Sequence, residues 1–256
     1  MGKTNFAVNL AIGLSRRRRR VVLIDGDLGL ANADVLCNLR PHFTLAHVIA
    51  GTHSLDQIIT PAPGGFELIP GASGVGRLAA LGEFERARLI GSLEELGRYS
   101  DVMILDCPAG ISPTVISLAS AAERAVVVTT PEPTALTDAY AMIKVLWQQR
   151  SGVAIDLLVN QVSGGAEAEA VGRRLVGVAE KFLDCPVGRL GYVCRDPNIP
   201  AAVRARRPVM IASPRCPAAA CIDRAAEALI RQTAPATGRQ GFFSRVAGLL
   251  ARGGGR

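Results

Sequence analysis

The sequence predicts an α/β protein built on a mostly parallel, twisted sheet with helices on both faces. Three observations carry this expectation. Short β-branched and aliphatic runs alternate with longer amphipathic stretches. Two of those apolar runs end in an aspartate, at the strand end where open parallel sheets bind ligands. A Gly-Lys-Thr opens a helical pattern at the head of the chain. With 256 residues, 49% of them hydrophobic, the chain can bury a substantial core, and its length favours one large domain.

In chain order, the first helical pattern follows Met1-Gly2-Lys3-Thr4-Asn5 and sets Phe6, Leu10 and Leu14 on one face. It closes on the run Arg16 to Arg20, where cations complement the helix dipole. Strands are predicted at 21–25, 66–70, 102–106, 125–130, 154–160 and 187–191 from their aliphatic, β-branched composition. Helices are predicted over 84–96, 135–148, 166–183 and 218–233, where apolar residues recur at three- and four-residue spacing. Pro235, Gly238 and Gly241 mark 234–241 as a linker between a main domain over 1–233 and a short terminal helix in 242–256.

Composition narrows the function classes. No apolar run approaches the roughly 18 residues of a membrane-spanning helix, and the first residues lack the charged-then-apolar order of a signal peptide, so a cytoplasmic location is expected. Six cysteines (Cys37, Cys107, Cys185, Cys194, Cys216, Cys221) show neither a CxxC pair nor a zinc spacing. They read as buried or incidental thiols, with Cys216 and Cys221 the nearest approach to a pair. The net charge of +7 is concentrated in two places, Arg16 to Arg20 and the tail residues Arg239, Arg245, Arg252 and Arg256, which leaves a net −2 elsewhere. A broadly basic nucleic-acid face is therefore not expected.

The chemistry-bearing residues fall into three groups. Gly2, Lys3 and Thr4 form half of a phosphate loop, in which backbone N–H groups at a helix start surround phosphate, the lysine bridges phosphate oxygens and the hydroxyl ligates Mg²⁺. The stretch Asp25-Gly26-Asp27-Leu28-Gly29-Leu30-Ala31-Asn32-Ala33-Asp34 packs three carboxylates and two glycines just past a strand, a density that helix caps alone do not explain. Val102-Met103-Ile104-Leu105-Asp106 has the form of a Walker B strand, whose terminal acid holds Mg²⁺ through water.

Taken together, Gly-Lys-Thr-Asn, DxDxGxxNxD and ILDxPAG resemble the MinD/ParA family of deviant P-loop ATPases over essentially the whole chain. Within it, Thr130-Pro131-Glu132-Pro133-Thr134-Ala135-Leu136-Thr137-Asp138-Ala139-Tyr140-Ala141 and the 25–34 stretch are most similar to the FlhG group, also called YlxH or FleN, which controls flagellar number and placement. The resemblance implies a P-loop NTPase, MinD-like fold and ATP hydrolysis with Mg²⁺. Carried over, Gly2, Lys3, Thr4 and Asn5 hold nucleotide phosphates, while Thr4, Asp25 and Asp106 serve the metal. Asp27 orients or polarises the attacking water. Asn160, at the end of Leu157-Leu158-Val159, matches the asparagine that reads adenine. Asp196 lies in a segment similar to the family's IPxD beside the base, with Val193-Cys194 replacing Ile-Pro. The implied partners are a second copy in an ATP-dependent homodimer, an FlhF-like GTPase, and flagellar basal-body or regulatory proteins.

The family's loop reads K-G-G-V-G-K-T, so the chain is expected to begin inside it. The first strand, the glycines of the cradle and the lysine that reaches the partner's phosphates would then be missing. Such a chain should leave a central slot of the sheet unfilled. With 26 arginines against three lysines, the composition suits a GC-rich coding sequence in which a GTG valine codon serves as a start.

In the tail, Phe242, Val246, Leu249 and Leu250 share a helical face, Phe243 widens it, and Arg245 and Arg252 flank it. Such a helix can lie in an anionic membrane surface, which predicts peripheral association with the inner face of the cell membrane. The alternatives are a ParA-type DNA or cargo-partitioning ATPase, a MinD-type division-site ATPase, and a non-hydrolysing adaptor with a vestigial P-loop.

Overall fold

In the computed structural model, the described residues are 2–26, 32–71, 96–97, 99–149 and 152–232. Asp27, nearly all of the helix predicted at 84–96, the linker and the tail residues Phe242, Phe243, Val246, Leu249 and Leu250 lie outside them. The elements run α1 (Lys3–Ser15), β1 (Val21–Asp25), α2 (Ala33–Leu36), α3 (Leu45–Ala50), α4 (Leu55–Ile58), β2 (Thr60–Ala62), β3 (Phe66–Ile69) and β4 (Val102–Asp106). They continue with α5 (Pro113–Ala121), β5 (Arg124–Thr129), α6 (Pro133–Gln148), β6 (Ala154–Val162), α7 (Gly165–Leu183), β7 (Val187–Cys194), α8 (Asn198–Arg204), α9 (Val209–Ala212) and α10 (Pro217–Gln232).

Every predicted strand is present. The differences are at the ends, where β6 and β7 run on to Val162 and Cys194 through a shift in their mutual register. The short β2, which contains Pro61, pairs antiparallel with β3, and the other strand pairs are parallel. Alternation along β1 splits its side chains between two layers: Val21 and Leu23 enter the core beneath α1, and Val22 and Ile24 face Leu45, Val48, Leu55 and Ile58 of α3 and α4. A further cluster packs Ala139, Ile143 and Leu146 of α6 and Leu175 and Ala179 of α7 on the second sheet. Helices thus cover both faces.

The expected single apolar face of α1 understates its burial. From Phe6 to Leu14 every residue is buried, because α1 is wedged between the sheet and α10. Gly13 permits that approach: a Cβ there would stand 3.0 Å from the Ala226 Cβ and 3.7 Å from the Met210 Cε. The arginine run that follows is largely spent on the fold. Arg16 donates to the Met210 carbonyl at 2.6 Å, Arg17 makes a two-pronged pair with Asp223 at 2.6 and 2.8 Å, and Arg20 pairs with Asp101 at 2.9 Å. Both α1 and α8 end in a left-handed turn held by an arginine, Arg18 at φ 59° and Arg206 at φ 49°. The next N–H groups, of Arg19 and Arg207, reach back to Leu14 and Ala202 at 3.3 and 3.0 Å.

The strands form two sheets, ordered β2-β3-β1-β4 and β5-β6-β7. Between them lies an open cavity of about 1420 Å³, lined by β4 on one side, by residues 124–128 of β5 on the other, and by Phe6, Leu10 and Leu14 of α1. Val102 to Leu105 are consequently only half-buried although all four are apolar. Among the described residues no strand bridges the slot.

Candidate functional site

Parallel pairing brings the two metal-type acids together. Asp25 ends β1 and Asp106 ends β4, and the two are direct partners in the register, so both carboxylates stand at one end of neighbouring strands. Both side chains are buried. The turn after β1 stays tight because the Gly26 N–H donates to the Asp106 carbonyl at 2.9 Å, and a Cβ at Gly26 would sit 2.9 Å from that same oxygen. Asp25 is also tied to its own chain: its Oδ2 accepts from the N–H groups of Asn32 and Ala33 at 3.0 and 3.1 Å, fixing the start of α2.

The Gly-Lys-Thr meets this pair from the slot side. Gly2 takes a left-handed conformation at φ 79° and precedes α1 without any side-chain cap, leaving the first N–H groups of the helix for another acceptor. Lys3 lines the slot together with Asp106 and Cys107. Burial, then the Asp106 charge, push the Cys107 thiol up to about 12, against the opposing pull of the Lys3 ammonium. Lys3 and Asp106 therefore share one electrostatic neighbourhood.

Across the slot, Asn160 stands near the end of β6, where its Oδ1 accepts from the Gln161 N–H at 2.9 Å. It approaches Gly2 closely: a Cβ at Gly2 would lie 2.9 Å from the Asn160 Nδ2. The candidate phosphate and base residues, drawn from opposite halves of the chain, thus converge at the strand ends beside the start of α1.

Asp196 sits on this side as well, but its carboxylate is engaged. Oδ1 accepts from the N–H and Nδ2 of Asn198 at 2.9 and 2.7 Å, and Oδ2 from the Ala218 N–H at 3.0 Å. Burial works against its charge, but the N–H groups of Ala218 and Asn198 outweigh it and hold the carboxyl below its usual range. Its place is to tie the loop after β7 to the start of α10. The Asn5 side chain turns to Asn9, whose Nδ2 lies 2.8 Å from the Asn5 carbonyl and 3.3 Å from its Oδ1, while the Asn9 Oδ1 accepts from the Met210 N–H at 2.9 Å. Sequence reasoning missed Asn9 and Asn198, and it named Gly26 within the 25–34 stretch without its close approach to the Asp106 carbonyl. The cysteines are free thiols, and the contacting pair is Cys194 with Cys221 at 3.8 Å rather than Cys216 with Cys221.

The donor set fits a nucleotide with Mg²⁺ better than a metal alone. Among the described residues no three His, Cys, Asp or Glu side chains form a metal-binding group. Two carboxylates suit Mg²⁺ that completes its octahedral oxygen shell from phosphates and water, and the Lys3 ammonium suits the phosphates rather than the metal.

A family model described as an AAA domain matches residues 1–157. The antiactivator FleN of Pseudomonas aeruginosa is 36% identical over 93% of this chain and 85% of its own. The flagellum site-determining protein YlxH of Helicobacter pylori is 30% identical over 96% of this chain and 85% of its own. Among solved structures, the septum site-determining protein MinD of Pyrococcus horikoshii complexed with Mg-ADP superposes with a TM-score of 0.72 at 25% identity, covering 89% of this chain and 90% of that one.

Proposed function

Because the chain belongs to the MinD/ParA family of P-loop ATPases, in the group with FleN and YlxH, we propose that it is an ATP-binding and ATP-hydrolysing dimerisation switch that regulates flagellar number or placement at the inner face of the cell membrane. The observation that carries the reading is the convergence of Gly2, Lys3, Asn160 and the registered pair Asp25 and Asp106 at one end of the sheet. The flagellar assignment rests on the two relatives, an antiactivator and a site-determining protein.

In this proposal the open N–H groups of α1 and the Lys3 ammonium hold the phosphates, and Asn5 steadies the helix start through Asn9. Thr4, Asp25 and Asp106 hold Mg²⁺, which offsets phosphate charge when bound. Asn160 reads the adenine edge, and Asp196 keeps the neighbouring loop in place for the base. Asp27, outside the described residues, positions the attacking water. The slot between β4 and β5 takes one more parallel strand that leads into Gly2 and supplies the rest of the phosphate cradle. Dimerisation then brings two tails, each anchored through Phe242, Phe243, Val246, Leu249 and Leu250, onto one membrane surface.

The test is Asp27→Ala in a protein carrying that added strand. Hydrolysis should slow by roughly two orders of magnitude while ATP binding and ATP-dependent dimerisation persist. Turnover at the parental rate would refute the role given to Asp27, and absence of turnover in the parent would refute the ATPase reading itself.

A further inference from the structure

Counted along the chain, the basic residues outside Arg16 to Arg20 and the tail disappear into a net negative remainder. In the fold they do not. From Pro197 to Ile222 the sequence holds four arginines, Arg204, Arg206, Arg207 and Arg215, and no acidic residue. All four are exposed, and among the described residues none has an ion-pair partner. Arg16 joins this face, since its guanidinium reaches the carbonyl of Met210 in α9, a few residues beyond Arg207. Exposed arginines are ordinary singly; a one-sign cluster on a short segment is not.

Local geometry adds a second, independent sign. Arg206 occupies the left-handed position that closes α8, where glycine is the favoured residue and a side chain costs energy. Arg18 does the same at the end of α1. A left-handed position filled by a side chain rather than glycine is one where local backbone preference has been overridden. Here the same residue type recurs at both turns.

We propose that the α8–α9 face is a second membrane-contacting surface, one that binds the phosphate headgroups of anionic lipid. The proposal rests on the membrane reading given above. A lipid surface is favoured over nucleic acid by Val203, which stands 41% exposed among the arginines and offers an apolar side chain to the interface that a phosphodiester backbone cannot use. Continuity points the same way. The α8–α9 segment packs in one layer with α1 and α10, and α10 is the helix from which the chain continues toward 242–256. Guanidinium groups suit the partner, because they meet phosphate oxygens in pairs.

The experiment is sedimentation of the full chain with vesicles of phosphatidylcholine alone or with added phosphatidylglycerol. The parent is compared with an Arg204→Ala, Arg206→Gly, Arg207→Ala variant and with a Phe242→Glu, Leu249→Glu variant. Arg206→Gly relieves the backbone rather than straining it, so the triple variant should melt no lower than the parent. Each arginine at an anionic surface changes partitioning roughly fivefold. The triple variant should therefore bind anionic vesicles one to two orders of magnitude more weakly, with binding to neutral vesicles unchanged, and added salt should erase the difference. If it loses anionic binding while the tail variant does not, the face stands and the tail reading fails. Equal binding of parent and triple variant to anionic vesicles overturns the inference, whatever the tail variant does. Loss of binding to a duplex DNA probe, with vesicle binding intact, also overturns it and assigns the face to nucleic acid.

Discussion

The carboxylate of Asp196 accepts three hydrogen bonds from its own chain, two from Asn198 and one from the N–H of Ala218. Removing it strands a buried N–H at the start of α10 and frees the loop after β7. Asp196→Ala should therefore cost about 2 to 3 kcal/mol in urea unfolding. Asp196→Asn, which keeps one acceptor oxygen, should cost less. If the two variants unfold alike, the carboxylate is not holding the loop. The same residue marks how far single side chains can be read from sequence. Asp25 and Asp106 were legible because an apolar run that ends in an acid places that acid at a strand end. The bond from the Ala218 N–H to Asp196, and the link from Asn9 to Met210, were not, because their partners lie 22 and 201 residues away and no local pattern joins them.

Elements meet through a few charged clamps. Arg20 and Asp101 join the entry of β1 to that of β4: Asp101 accepts from the Arg20 N–H at 2.8 Å as well as from its guanidinium, and the Asp101 N–H donates back to the Arg20 carbonyl at 2.8 Å. The Arg20 side-chain and backbone donors pull the Asp101 carboxyl down to about 2. Its folded value lies below its unfolded one, so folding favours the ionised form. That contribution is complete above about pH 4 and is lost as pH falls toward about 2. Thermal melting should decline over that window, and Asp101→Asn should flatten the decline; an unchanged acid profile in the variant would discount the clamp. At the α1–α10 crossing, Gly13→Leu should overpack the contact with Ala226 and cost about 1 to 3 kcal/mol by chemical denaturation, whereas an unaltered midpoint would show the two helices can part. Long elements were legible from their periodicity, and α6, α7 and α10 lie within a residue or two of expectation. The four-residue α2, α4 and α9 were not, since one turn is too short to show a period.

At the scale of the whole molecule, the split between β4 and β5 governs behaviour in solution. Half-buried Val102 to Leu105 face an open slot, which should bind a dye such as ANS. Supplying the added strand should abolish that fluorescence, raise the melting temperature and steepen the denaturant transition, because more surface is then exposed on unfolding. Equal dye binding with and without the strand would mean that the slot is not its seat. The two sheets share no strand pairing among the described residues, and α1 is packed against both: Phe6 to Leu14 meet a core that includes Leu23 of the first sheet and Val128, Leu158 and Leu190 of the second. Viewed mechanically, α1 is a splint across a fracture. Hydrogen-bonded strands pulled along their length resist as a row of bonds loaded together, whereas side chains packed on a helix give way one after another. Under tension applied across the two halves, the molecule should part along the β4–β5 line at low force, with each sheet still intact, and a strand set into that line would turn the splint into a weld.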